Sequence, residues 1–142
     1  MIKTFRGLLA DGGQDTIRLS TNNGLTGYRI VKFEIMTNKP GATAYEHVMK
    51  IWKTKQTTID GLVDFSIDAL LGAGYLEGHA GEAYPDSQAT FFDQEVFNQD
   101  IFVTQYDVLT GEACNYYIEL EQVKLAQDAA AVATLKDMRG RE

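Results

Sequence analysis

Carboxylates are the first residues in this sequence with the makings of chemistry. Glu119 and Glu121 stand two apart in NYYIELEQVKL, residues 115 to 125, so on a strand they share a face, separated by about 7 Å. That spacing would suit a paired acid and base in glycosidic cleavage, and it suits a solvated strand face equally well. His47 and His79 are far apart, one inside a strand pattern and the other in a glycine-rich loop, without the clustered spacing of a metal site. Cys114 is the sole cysteine, so neither an intramolecular disulfide nor a thiolate metal site can form. No histidine or basic residue adjoins it to stabilise a thiolate, and it reads as a small buried hydrophobe. The glycines of GAGYLEG, residues 72 to 78, lack the spacing of a dinucleotide loop and read as a tight or flexible connection. Asp11 and Asp15 around Gly12-Gly13 read as a turn, and no GxSxG elbow, Walker loop or calcium loop is present. These residues predict no catalytic, cofactor or metal site, and no enzyme.

The elements that would position such groups follow from size and composition. A chain of 142 residues with 44% apolar and 11% aromatic content can bury a full core as one unit. Its formal charge of −7 opposes nucleic acid and anionic membrane surfaces, whose recognition starts from a basic patch. Lys50, Lys53 and Lys55 are the densest basic group, and their interruption by Ile51, Trp52 and Thr54 reads as a solvated strand edge. The opening MIKTFRGLLADGG breaks at Asp11-Gly12-Gly13 before any long apolar run, and no later stretch is long enough to span a bilayer as a helix. The expectation is synthesis in a cytoplasm, with neither nucleic acid nor membrane as partner.

Turn signals at DGG, TNNG and NKPG separate four segments, 2–9, 16–20, 28–36 and 45–53, which predict a meander of antiparallel strands joined by hairpins. In the third, Val31, Phe33 and Ile35 form the core face, with Tyr28, Ile30, Lys32 and Glu34 opposite. The fourth is apolar on both sides, from Tyr45, His47, Met49 and Ile51 to Val48 and Trp52, so a second layer or a neighbouring subunit must cover it. The region 60–76 is ambiguous. Its Asp60, Asp64 and Asp68 repel at helical spacing, favouring a strand at 62–65 and a turn at 68–73. Residues 78–88, with Pro85, read as an exposed loop.

The last third reads as a hairpin of 100–108 and 114–125 around LTGEA. Tyr116, Ile118 and Leu120 share a face, then Val123 and Leu125 take the opposite parity, which predicts a β-bulge near Glu121 or Gln122. The tail has Val132, Leu135 and Met138 three apart, with Lys136, Arg139 and Arg141 gathered at its end, as suits the dipole of a short helix. Such a helix is marginal alone, so its stripe needs a dock, either the parent sandwich or another subunit. The fold class predicted is mainly β: an antiparallel sandwich, jelly-roll-like, over residues 1–125, with a C-terminal helical arm at 126–142.

The runs FFDQEVFNQDIFVTQYD, NYYIELEQVKLAQDAAAVATLKDMRGR, IKTFRGLLADGGQDTIRLS and TGYRIVKFEIM resemble small virion structural proteins of tailed, especially marine, bacteriophages. The resemblance covers most of the chain but not 68–88. It implies a β-rich, non-enzymatic protein present in repeated copies, bound to the capsid lattice as a decoration or cement protein, or to the neck and tail. It implies the major capsid protein or other virion proteins as partners, a homo-oligomer, and residence in the virion after synthesis in the host bacterial cytoplasm. The assembly contact expected on that basis is Val123, Leu125, Val132, Leu135 and Met138. A second exposed contact is expected in the loop at His79, Glu82, Tyr84 and Asp86, which would serve a carbohydrate- or receptor-binding module as the alternative function.

Overall fold

Two antiparallel sheets face each other across a single apolar core, with a helix at the C-terminal end. The structure, a computed structural model, describes residues 1–82 and 84–139, and the side chains of 127, 128 and 137–139 lie outside that description. The strands are β1 (Ile2–Leu9), β2 (Gln14–Ile17), β3 (Thr26–Thr37), β4 (Tyr45–Trp52), β5 (Leu70–Gly78), β6 (Ser87–Phe92), β7 (Ile101–Asp107) and β8 (Cys114–Lys124), followed by α1 (Gln127–Arg139). One sheet has the order β1-β8-β3 and the other β2-β7-β4-β5-β6. The predicted antiparallel sandwich with a short C-terminal helix is therefore what the chain forms.

Its connections differ from the predicted meander. Gly12, Gly24 and Gly41 do turn the chain, with φ of 74°, 66° and 77°, a region open to glycine at little steric cost. Each of those turns carries the chain from one sheet to the other, however, as does LTGEA between β7 and β8. Turn chemistry sets where a chain reverses, while burial of each strand's apolar face decides which sheet receives the next one. The hairpins are instead β4-β5, across a long connection, and β5-β6.

β8 is the middle strand of the small sheet, and Tyr116, Ile118 and Leu120 point inward as expected. The bulge falls on its partner. Ile30 pairs with Leu120 and Lys32 with Glu119, which leaves Val31 as the extra residue of β3. Tyr28 and Ile30 are consequently buried together with Phe33 and Ile35, and Val31 is turned outward, the reverse of the face assigned to those three. A parity break seen in either strand can be met by one extra residue in its neighbour.

β5 is the element that sequence reading misplaced. Residues 53–69 form irregular structure, so there is neither a strand at 62–65 nor a helical turn at 68–73. LLGAGYLEG is a buried strand, and its glycines are there for close packing. A Cβ on Gly74 would stand 3.1 Å from Ile35 Cδ1 and 3.3 Å from Phe33 Cε2, so the bare backbone makes room for the β3 side chains opposite. A strand covered on both faces loses alternation and reads as a continuous apolar run.

β4 lies between β7 and β5, and both its faces are buried. Met49 and Ile51 point to the core, while residues 53–69 fold back over Lys50 and Trp52, so the cover comes from the chain itself. Lys50 and Lys53 are not a solvated edge. Lys50 Nζ donates to Asp60 Oδ1 at 3.2 Å and to the Leu62 carbonyl at 2.5 Å, and it lies over the Trp52 ring. Lys53 Nζ donates to Glu95 Oε1 at 2.7 Å, and the Trp52 indole donates to Thr104 Oγ1 at 3.1 Å. Long lysine stems cover apolar surface while their ammonium groups find partners, which the alternation pattern does not reveal.

Polar groups join the two sheets at one end of the sandwich. His47 Nε2 lies 2.9 Å from Thr37 Oγ1, its Nδ1 lies 3.1 Å from Gln105 Oε1, and Gln105 Nε2 donates to the carbonyls of Leu9 and Glu112. Beside them the buried Asp107 carboxylate accepts the amides of Glu46, Leu109 and Glu112 and the Thr110 hydroxyl, at 2.7–3.0 Å. Burial works to raise the Asp107 pKa, but these donors together hold it below the usual value. Asp107→Ala should lower stability by about 3 kcal/mol in denaturant titrations, because the amides and the hydroxyl in these part-buried bonds lose their acceptor at once. A loss below about 1 kcal/mol would show that water replaces the carboxylate.

Candidate functional site

The C-terminal helix reaches the sandwich through small residues. Ala130 and Ala133 are buried, and the Asn98 amide donates to Thr134 Oγ1 at 2.7 Å, to the Gly24 carbonyl at 3.1 Å and to the Ala130 carbonyl at 3.3 Å. The predicted stripe is thus not the face that docks on the parent sandwich. Val132 and Leu135 remain 53% and 55% exposed at the margins of that contact, and the Met138 side chain lies outside the described residues. Among the expected assembly residues, Leu125 and Val132 come together beside Val96 in a shallow cleft of about 560 Å³. Val123 lines a different cleft near Met1 and Leu25, and Leu135 borders a third near Asn23.

A second apolar surface lies apart from the residues expected for assembly. The irregular segment over the large sheet leaves Leu62 and Phe65 exposed, at 75% and 67%, together with Val63 and Ile67. Phe65 meets the exposed Phe91 of edge strand β6 edge-on, with centroids 5.9 Å apart, above a cleft of about 300 Å³ floored by Leu71, Gly72 and Phe92. Local turns hold the segment in place. Asp60 accepts the Leu62 amide, and Asp64 accepts the Ser66 amide and hydroxyl. Their pKa values are lowered, that of Asp60 chiefly by the Leu62 amide and then by Lys50, and that of Asp64 by Ser66. The signal in the sequence is the run DGLVDFSID, residues 60–68, where aspartates at a spacing poor for a helix serve as turn formers.

The β5-β6 loop carries the other expected contact. His79, Glu82, Tyr84 and Asp86 are all exposed, as predicted for a loop. His79 Nδ1 is hydrogen-bonded to Asp86 Oδ2, and this bond, followed by the Asp86 charge, raises the His79 pKa. Glu77, at the end of β5, brings a carboxylate to the same pair, so the three ligating atoms lie within 4.8 Å of one another. Glu77 Oε2 accepts the Tyr75 hydroxyl at 2.8 Å, which drives the phenol pKa up.

Elsewhere the groups first considered for chemistry are engaged in structure. Glu121 accepts both bonds of an Arg29 nitrogen at 3.0 Å, and Glu119 accepts the Tyr117 hydroxyl. Asp11 accepts the Asp107 amide, while Asp15 accepts the Tyr116 hydroxyl, so the two aspartates serve different partners. Cys114 is buried, and burial pushes its thiol pKa up to about 12, far from a reactive thiolate. No protein-family model matches the chain. No curated protein matches it significantly either.

The two histidines make opposite contributions to stability against pH. Burial holds the His47 pKa below 6.5, so its contribution is complete above that value and erodes as pH falls through the folded pKa. The His79 pKa is raised, so its contribution is complete below 6.5 and is lost as pH rises through the folded pKa. In His79→Gln the urea midpoint should fall more steeply than in the parent between about pH 7.5 and about pH 5.5, because the opposing contribution is gone. Equal slopes in the two proteins would contradict the assignment.

Proposed function

We propose that this protein is a non-enzymatic structural component of a tailed-phage virion, a capsid decoration or cement protein that stabilises the head through contacts between subunits. The observation that carries this reading is exposed apolar surface on a domain that already has a complete core: Leu62, Phe65 and Phe91 on the large sheet, and Val132 and Leu135 on the helix. Soluble monomers seldom leave large contiguous apolar patches in water unless the patch meets something. The resemblance of the sequence to small virion proteins supplies the partner: the major capsid protein, or other virion proteins next to it, with many copies of this chain in the lattice. The virion is then its location.

The strand order supports the jelly-roll form of the sandwich expected for such a protein. Consecutive strands alternate between sheets through β1, β2, β3 and β4 and again from β7 to β8, as in a two-sheet wrap of Greek keys. The departure is β6, which adds to the large sheet. The bridge between Tyr28 and Phe97 then brings the chain back against β3.

Function in this reading is mass action: burying the exposed side chains on an assembled lattice favours the assembled state in proportion to occupancy. Val132→Glu with Leu135→Glu places charge where the free chain exposes apolar groups, so folding should be unchanged. Attachment to purified heads, measured by co-sedimentation, should weaken by at least about tenfold, equivalent to about 1.4 kcal/mol. Phe65→Ser tests the other surface in the same way. Undiminished attachment of both variants would overturn the proposal.

A further inference from the structure

We propose that Glu77, His79 and Asp86 form a binding site for a divalent transition-metal ion of the zinc class, which would clamp the β5-β6 hairpin at its loop. This inference is independent of the virion role. The donor set is one imidazole nitrogen and two carboxylates, with ligating atoms within 4.8 Å of one another. Ligands of one ion at about 2.1 Å lie no more than about 4.2 Å apart, so small side-chain rotations would bring these three donors onto it, and water would complete its coordination on the open side.

The backbone holds these groups in register. Glu77 and His79 are two residues apart on the line of β5, so they leave the sheet on the same side. Asp86 arrives from the other arm of the hairpin, where its amide donates to the Glu77 carbonyl at 2.8 Å. The far end of the loop is pinned by the Gly81 amide on the Gly41 carbonyl, also at 2.8 Å. Outside the three ligands, the Tyr75 hydroxyl holds Glu77 Oε2 and orients that carboxylate, the kind of support that outer partners give to metal ligands.

Charge favours a cation at this place. Glu82 and Glu77 both act on His79, and Glu46 acts on Tyr75, so the surroundings are acidic. Among the described residues neither Glu77 nor Asp86 is paired with a lysine or arginine. The imidazole selects the class of ion, since magnesium and calcium take oxygen ligands whereas zinc-class ions take nitrogen and oxygen together. His79 Nδ1, now hydrogen-bonded to Asp86, would exchange that bond for the metal, and both residues would share the ion. A cation joining the two arms would also restrict the connection between β5 and β6.

The test is zinc titration of the full chain after chelator treatment, followed by calorimetry and by the thermal midpoint, with cobalt absorption reporting the ligand field. His47 and Cys114 are buried, so they do not compete for added metal in the folded protein. A single zinc ion per chain is expected, with a midpoint that rises with zinc and not with the same concentration of magnesium. His79→Ala and Asp86→Asn should each weaken binding by at least about tenfold. Glu77→Gln serves as a third variant should either of these fail to fold. Absence of zinc binding overturns the proposal, as does binding unchanged by the variants or matched by magnesium.

Discussion

The sandwich depends on a polar junction between its sheets, centred on Gln105. From β7 this side chain reaches His47 on β4, the Leu9 carbonyl at the end of β1 and the Glu112 carbonyl before β8, while His47 reaches Thr37 at the end of β3. Gln105 and His47 are fully buried and Thr37 nearly so, so their partners must be supplied by protein. Apolar packing between sheets tolerates sliding, whereas a buried hydrogen-bond network leaves unsatisfied groups in every register but one. The Asp107 carboxylate extends the junction to the turn that carries the chain from the large sheet to the small one. The ends of β1 and β3 are thus anchored to β4 and β7, and β8, which pairs with both β1 and β3, has its place defined.

That internal sufficiency bears on function. Residues 53–69 supply the outer cover of β4, using Asp60 and the Leu62 carbonyl to satisfy Lys50, so no other chain is needed to finish the core. The helix is likewise held by Asn98 and small residues of its own inner face. Apolar groups left exposed after these requirements are met are surplus to folding the isolated chain. Phe65, Phe91, Val132 and Leu135 belong to this surplus, and a protein that works by contact has a use for it.

Much of the architecture was legible where one face of a strand is buried and the other solvated. β1, β3 and β8 lie close to their predicted bounds, because their aromatic and β-branched residues alternate between turn signals, and β4, though buried on both faces, is marked at its start by the NKPG turn. β5 was not legible, since burial on both sides removes alternation and its glycines mimic a loop. The exchange of strands between sheets was hidden for another reason: a glycine turn looks the same whether it closes a hairpin or crosses the core. The bulge was read as a parity break in β8, yet the extra residue is Val31 across the pair, and pairing is not a local property. Lys50 and Lys53 were misread because their partners, Asp60 with the Leu62 carbonyl and Glu95, are distant along the chain or lie in irregular structure.

The candidate sites were legible to differing degrees. Val132 and Leu135 were singled out from spacing alone, but the residues that dock the helix, Ala130, Ala133 and Thr134, are too small to stand out in a hydrophobic pattern. His79 and Asp86 were placed in one exposed loop, whereas Glu77 belonged to a segment read as a connection, so its convergence on them was invisible. The proposed contact role is tested most directly by quantitative mass spectrometry of purified virions of the tailed phage that the proposal takes as the source, counting copies of this chain. A lattice-bound decoration protein predicts copies on the order of hundreds per particle, in step with the major capsid protein. Absence from the particle, or only a handful of copies, would contradict it.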